Sequence, residues 1–227
     1  MVDMTEYGDD ATGIVIVDDH PIVCDGVEQL ISRERDMKVV GKAHDAAGAI
    51  QVIDRVKPRV AVVDISLSGG ASGLDLTKSI RSRFPDVHVL VLSMHDEALY
   101  AERAIRAGAR GYVMKNEMTS RIVDAIRQVR AGKMFLSGEL TSNMIEKVMV
   151  SAPVRRPLTT DVLTDRELDI LEKIGEGYKT SDIARQLNLS NKTIESHRLR
   201  IRKKLDLRTA GDLIRYACLL YTSPSPR

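Results

Sequence analysis

The 227-residue chain is predicted to be an α/β protein, a five-stranded doubly wound parallel sheet followed by a small all-α helix-turn-helix domain. Three observations predict it. Short Val- and Ile-rich runs alternate with longer amphipathic stretches from residue 13 to 131. The segment Ser151-Ala-Pro-Val-Arg-Arg-Pro157 then breaks the pattern twice with proline. Beyond it only closely spaced helical signals remain, and one of them is strongly basic.

The apolar runs come in order as Ile14-Val15-Ile16-Val17, Met37 to Val40, Val60-Ala61-Val62-Val63, Val87 to Leu92 and Gly111 to Met114. Runs this short and this rich in β-branched residues read as strands buried on both faces. Between them, spacings such as Val23, Val27, Leu30, Ile31 and Ala98, Ala101, Ile105 read as helices. Alternation of this kind gives a parallel sheet, whose functional groups gather at the carboxyl ends of its strands. Residues 135–150, with Leu140, Met144, Ile145 and Val148, read as one more helix. After the proline segment, Thr164 followed by Glu167 fits a capping box for a helix through Leu168, Leu171 and Ile174, closed by Gly175 and Gly177. A second helix is expected over Ser181–Leu187. A third is capped by Ser190 or Asn191 and runs through Leu205, and a fourth runs from about Thr209 to Ala217. The expected domains are therefore 12–132, a linker with one helix at 133–160, and 161–217. Residues 218–227, CLLYTSPSPR, look like the translation of a sequencing adapter and are expected to be a non-native tail, with an ordinary frayed tail as the alternative.

Composition narrows the class. The chain is 43% hydrophobic, 29% charged and 4% aromatic. No apolar run approaches the roughly 18–20 residues of a membrane helix, so no membrane partner is expected. The start, MVDMTEYGDDATG, is too acidic and polar for a signal peptide. Cys24 and Cys218 form neither a metal spacing nor a disulfide framework. A cytoplasmic protein is expected. Residues 1–154 hold 19 basic and 22 acidic residues, whereas 192–208 hold seven basic residues against Glu195 and Asp206. An acidic first part joined to a basic helix implies two jobs.

Five side chains carry chemistry at strand ends. Asp18 and Asp19 follow the first strand, Asp64 ends the third, Ser93 the fourth and Lys115 the fifth. In a parallel sheet these positions converge on one edge. Three carboxylates that close cannot all stay ionised without a cation, and oxygen donors suit a hard divalent ion, for which Mg2+ is the expectation. A carboxylate can also attack phosphorus to give an acyl phosphate, with metal and ammonium neutralising the phosphoryl oxygens. Taken singly, each residue has a plainer reading: a turn or cap for the aspartates and Ser93, a solvated charge for Lys115. Their joint placement is what points to a site.

Ile14-Val-Ile-Val-Asp-Asp-His-Pro, Val62-Val-Asp64-Ile-Ser-Leu, Val91-Leu-Ser-Met-His and Gly111-Tyr-Val-Met-Lys115 resemble the receiver domain of bacterial two-component response regulators, a flavodoxin-like fold, over about residues 12–132. The resemblance implies that Asp64 accepts phosphate from a sensor histidine kinase. It further implies that Asp19, Asp64 and the main-chain carbonyl of Ser66 hold Mg2+, with Asp18 acting through water. Ser93 and Tyr112 would be the switch pair and Lys115 the phosphate-binding cation. The chain departs from the family pattern at Ser68, where proline is usual, and in a loop one residue longer before Gly73. Asn116 also stands where a proline commonly follows the lysine.

The segment Asn191 to Leu205 is expected to bury Ile194, Ile201 and Leu205 and to place charge opposite. With the short helix and turn before it, this is a helix-turn-helix layout whose last helix enters a major groove. A basic helix alone is as readily a solvated face. However, Leu163-Thr-Asp-Arg-Glu-Leu, Gly175-Glu-Gly, Ser181-Asp-Ile-Ala, Lys192-Thr-Ile-Glu-Ser-His and Arg202-Lys-Lys-Leu resemble a LuxR-type helix-turn-helix. Both halves together resemble the NarL/FixJ family. That resemblance makes Lys192, Glu195 and Ser196 candidates for base edges, and Thr193, Arg198, Arg200 and Lys203 candidates for the DNA backbone. His197 is either a further DNA-facing residue or a packed, neutral imidazole.

The expectation is a regulator, not an enzyme: phosphorylation of Asp64 switches binding to double-stranded DNA, with a homodimer on paired half-sites. A phosphatase of the haloacid dehalogenase type is the first alternative, but it needs a carboxylate where Ser66 stands. A LuxR-type regulator gated by a small molecule, or a receiver whose output no longer binds DNA, are the others.

Overall fold

The computed structural model describes residues 11–67, 72–95, 97–138, 140–142 and 162–222. The chain divides into two compact units between Ser151 and Ala152.

The first unit runs β1 (Thr12–Val17), α1 (Pro21–Ile31), β2 (Met37–Ala43), α2 (Ala46–Val56), β3 (Val60–Asp64), α3 (Gly73–Arg83), β4 (His88–Ser93), α4 (Glu97–Ala107), β5 (Gly111–Met114), a 3-10 turn (Lys115–Glu117) and α5 (Met118–Arg130). All strand pairs are parallel, in the order β2-β1-β3-β4-β5. The chain leaves β1 toward one edge to form β2, then crosses back to form β3 on the other side. This makes the carboxyl ends of β1 and β3 the switch point where such sheets open a crevice.

One sheet face packs Ile14, Ile16, Val60, Val62, Leu90, Leu92 and Val113 against Cys24, Val27 and Ile31 of α1 and Ile122, Ala125, Ile126 and Val129 of α5. The alternate residues Val15, Val17, Ala61, Val63, Val89, Val91 and Tyr112 are equally buried and face the other way. Burial on both faces explains why the strands read as unbroken apolar runs. Each large side chain taken from water contributes about 1.5–3 kcal/mol. The exception is the edge strand β2, which continues through Gly41 and Lys42 to Ala43 although the apolar run stops at Val40. Only Met37 and Ala43 of β2 are buried, and Lys42 instead pairs with Asp25 (2.8 Å) and Glu28 (2.7 Å).

Local chemistry starts the helices where the sheet needs them. Pro21 opens α1, the Asp45 carboxylate accepts from Gly48 N at 2.8 Å to cap α2, and Ser72 Oγ accepts from Leu74 N at 3.2 Å to cap α3. After α5 the chain returns to β5, where Tyr112 N donates to Phe135 O (3.0 Å) and Phe135 N to Arg110 O (2.9 Å). Residues 140–142 are helical. The helix expected from 135 starts later, because Phe135 is held in a β-bridge to Gly111 and residues 136–137 are not helical. Residue 139, residues 143–150 and the proline segment lie outside the described residues.

The second unit is α6 (Asp165–Gly175), α7 (Thr180–Gln186), α8 (Asn191–Lys204) and α9 (Ala210–Thr222). The Thr164–Glu167 capping box is present in both directions. Its core joins Leu168, Leu171 and Ile174 to Ile183, Ile194, Ile201, Leu205, Leu213 and Ala217. α6 and α9 approach closely at Gly175, where a Cβ would stand 2.8 Å from Ala217 O. Helix α9 continues past the expected end at Ala217 through Thr222, so the start of the expected tail is helical. Among the described residues no helix is long and apolar enough to cross a membrane.

Candidate functional site

The strand ends bring the acidic residues together. Asp18 follows β1 and Asp64 ends β3, and both are almost wholly buried. Lys115, at the end of β5, reaches between them: its Nζ lies 2.7 Å from Asp18 Oδ2 and 2.8 Å from Asp64 Oδ2. Burial pushes the Asp64 carboxyl above its usual range and the Asp18 charge adds to this, while the Lys115 ammonium and the Ser66 N–H oppose it. Burial alone would lower the Lys115 ammonium, but Asp64 and Asp18 outweigh it and hold it above its ordinary value. Lys115 is thus a fixed cation beside a carboxylate whose charge the interior resists.

Ligand atoms of Asp18, Asp19, His20 and Asp64 all lie within 4.8 Å of one another. Carboxylate oxygens at this spacing can hold a divalent cation. His20 belongs to this cluster without having been singled out in the sequence: its Nδ1 lies 2.9 Å from Asp19 Oδ1 and 3.3 Å from Asp18 Oδ1. Ser66, two residues past Asp64, donates its N–H to Asp64 Oδ1 at 3.2 Å. Gly73, at the far end of the same loop, donates its N–H to Ile65 O at 2.8 Å and leaves no room for a side chain: a Cβ would stand 1.9 Å from Asp64 O. Ser68 and the extra loop residue fall outside the described residues, and the Lys115–Asn116 peptide is trans.

Ser93 and Tyr112, both fully buried, meet through one residue that the sequence reading missed. His95 N donates to Ser93 Oγ (3.1 Å) and His95 O accepts from Tyr112 OH (2.8 Å). Its ring stacks on Tyr100 at 4.3 Å between centroids, and Nε2 lies 2.6 Å from Ser66 Oγ. His95 therefore ties the loop after Asp64 to the expected switch pair. Its sequence signal is slight, a histidine two residues past a strand-terminal serine.

In the second unit, Ser190 Oγ accepts from Thr193 N at 3.0 Å to cap α8, and Asn188 at φ +52° makes the preceding turn. Ile194, Ile201 and Leu205 are buried. Lys192, Glu195, Ser196, Arg200 and Lys203 are exposed. Thr193 is half-buried, its hydroxyl 2.8 Å from Ser190 Oγ. Arg198 is mostly covered and bonds Thr180 Oγ1 at 3.3 Å. His197 is half-buried, and burial first, then the Arg200 charge, push its imidazole below its ordinary value. That favours the neutral, packed form. Lys204 donates to the buried Glu167 carboxylate at 2.6 Å, so the basic end of α8 is pinned to the capping box of α6.

Comparison with known proteins agrees with this geometry. Residues 14–127 match the response regulator receiver domain, and residues 161–217 match the bacterial regulatory proteins of the luxR family. The oxygen regulatory protein NreC of Staphylococcus haemolyticus is 36% identical over 207 residues, covering 90% of this chain and 95% of that protein. Its Staphylococcus aureus counterpart matches to the same extent. Among solved structures, the RcsB response regulator of Salmonella typhimurium shares 25% identity with a TM-score of 0.66, covering 92% of this chain and 98% of RcsB. A LuxR-family two-component response regulator from Aurantimonas is 33% identical over 61% of this chain and 99% of its own, with a TM-score of 0.56. With an acidic strand-end pocket in one unit and a capped basic helix in the other, the chain belongs to the NarL/FixJ response regulators, phosphorylation-dependent DNA-binding proteins that join a receiver domain to a LuxR-type helix-turn-helix.

Proposed function

We propose that Asp64 is the phosphorylated residue and that a sensor histidine kinase supplies the phosphoryl group. A carboxylate oxygen of Asp64 bonds to phosphorus as the bond from phosphorus to the kinase histidine nitrogen breaks. Lys115 stands ready to pair with the new phosphoryl oxygens, since its Nζ already lies 2.8 Å from Asp64 Oδ2. Mg2+ is the cation that the oxygen donors suit, and Asp19, Asp64 and the Ser66 carbonyl would hold it, with Asp18 contributing through water. When bound it supplies charge neutralisation to the transferring group.

The Ser93 hydroxyl can reorient from His95 N to an oxygen of the aspartyl phosphate. Because His95 O also holds Tyr112, release of one bond unsettles the other, and the two buried side chains form a bistable element. The output is binding of double-stranded DNA by α8, through Lys192, Glu195 and Ser196 at base edges and Thr193, Arg200 and Lys203 at the backbone. RcsB has been solved bound to DNA as dimers, and a homodimer on paired half-sites is the matching arrangement here. A cytoplasmic location accords with this role.

The relatives are transcription regulators and not enzymes. The observation that carries the reading is the buried ammonium shared by Asp18 and Asp64, a geometry with no function in a solvated turn. Mass spectrometry after incubation with acetyl phosphate and Mg2+ tests it. One acyl phosphate on Asp64, absent in Asp64→Asn, is the expected result. Label on another residue, or none, refutes it.

A further inference from the structure

Thr180, the first residue of α7, is half-buried where that helix packs on α8. Its hydroxyl donates to Glu195 Oε1 at 2.8 Å and accepts from Arg198 at 3.3 Å. Arg198 Nε also lies 3.8 Å from the same Glu195 oxygen. The three side chains close a ring between the two helices. Within it the Arg198 side chain is only 15% exposed, whereas Glu195 is 60% exposed. The guanidinium assigned from resemblance to the DNA backbone is thus engaged inside its own domain.

Glu195 is the single acidic side chain of α8. A carboxylate only accepts hydrogen bonds and is repelled by phosphate, so at a DNA surface it weakens binding unless a donor meets it. In the major groove the base-edge donors are cytosine N4 and adenine N6. Left free, the side chain would swing toward its basic neighbours. We propose that Thr180 and Arg198 are positioning residues that hold Glu195 in one orientation, so that its carboxylate selects a base pair presenting an exocyclic amine. Holding the rotamer before binding removes an ordering cost that would otherwise blunt the selection. The proposal rests on the reading that α8 enters the major groove.

The test is selection of bound duplexes from a randomised pool by the full-length chain with acetyl phosphate and Mg2+, repeated at several salt concentrations. Wild type is expected to enrich cytosine or adenine at one position of each half-site. Thr180→Val, close in shape but without the hydroxyl, should lose about tenfold in discrimination at that position, and Arg198→Met should do the same. Thr180→Ser should restore the preference, and neither loss should change the salt dependence. Glu195→Gln, whose amide can both donate and accept, should move the preference to adenine. The proposal is overturned if Thr180→Val keeps the wild-type preference while Thr180→Ser and Thr180→Val melt alike. It is also overturned if Arg198→Met weakens all sequences equally and lowers the log–log salt slope by about one, the sign of a phosphate contact. Wild type that enriches nothing overturns the DNA-binding reading itself, a result distinct from both.

Discussion

Replacing Gly73 with alanine places a methyl group 1.9 Å from Asp64 O and 2.7 Å from Ile65 Cα, both backbone atoms. Ordinary contact begins near 3.4 Å, so the start of α3 and the end of β3 must part by roughly 1.5 Å. Neither can rotate away as a side-chain tip would. Overpacking of this kind costs about 1–3 kcal/mol, and losing the 2.8 Å Gly73 N to Ile65 O bond costs about 1 kcal/mol more. Alanine recovers under 1 kcal/mol through a less flexible unfolded chain. The net loss of about 2–3 kcal/mol should lower the melting temperature of the first unit by about 10 °C, measurable by calorimetry. Because the displaced carbonyl belongs to Asp64, phosphorylation by acetyl phosphate should slow by about 10- to 100-fold even where the variant is folded. A variant that melts within about 2 °C of wild type and is phosphorylated at the wild-type rate would refute the claim that this contact sets the position of Asp64.

Three further outcomes follow from individual contacts. Lys115→Met leaves Asp18 and Asp64 facing each other without a counter-ion. Its unfolding free energy in chelator should fall by about 3–5 kcal/mol, and added Mg2+ should recover a larger share than it adds to wild type. Tyr112→Phe removes one buried hydrogen bond to His95 O, so denaturant titration should show a loss of about 1 kcal/mol; phosphorylation should persist while its effect on DNA binding is reduced. Burial alone would raise the Glu167 carboxyl, but Lys204 and the Thr164 cap outweigh it and lower it below its ordinary 4.5. Its stabilisation is therefore complete above that value and is lost as pH falls through the lowered folded one. Glu167→Gln should flatten the stability profile of the second unit below about pH 4.5, as followed by circular dichroism, and an unchanged slope would contradict the assignment.

The strands and the acidic pocket were legible because they obey local rules. Unbroken apolar runs mark strands covered on both faces, and a parallel sheet brings the residue after each strand to one edge. Asp18, Asp64, Ser93 and Lys115 could thus be placed before any contact was known. Edge strand β2 extends past its apolar run because all but its two end residues are only partly buried, and Gly41 and Lys42 interrupt the run. His95 was missed because its links to Ser93 and Tyr112 come from its backbone N–H and carbonyl, which every residue carries, and only the path of the loop after β4 aims these at the pair and its ring at Ser66. The reach of α9 past Ala217 was hidden by the odd composition of the last residues. Arg198 illustrates a different limit. Charge and helical spacing put it on the basic side of α8, but its engagement by Thr180 depends on how α7 crosses α8, which periodicity does not encode.

The most direct measurement is the affinity of the full-length chain for its selected DNA, with and without acetyl phosphate in Mg2+, for wild type and for Asp64→Asn. Coupling between two sites of this kind is commonly worth about 1–3 kcal/mol. Wild type should therefore tighten by about tenfold on phosphorylation, while Asp64→Asn stays at the unmodified value. Equal tightening in the variant, or unaltered affinity in wild type carrying the phosphoryl group on Asp64, would contradict control of the helix-turn-helix by the buried acidic pocket.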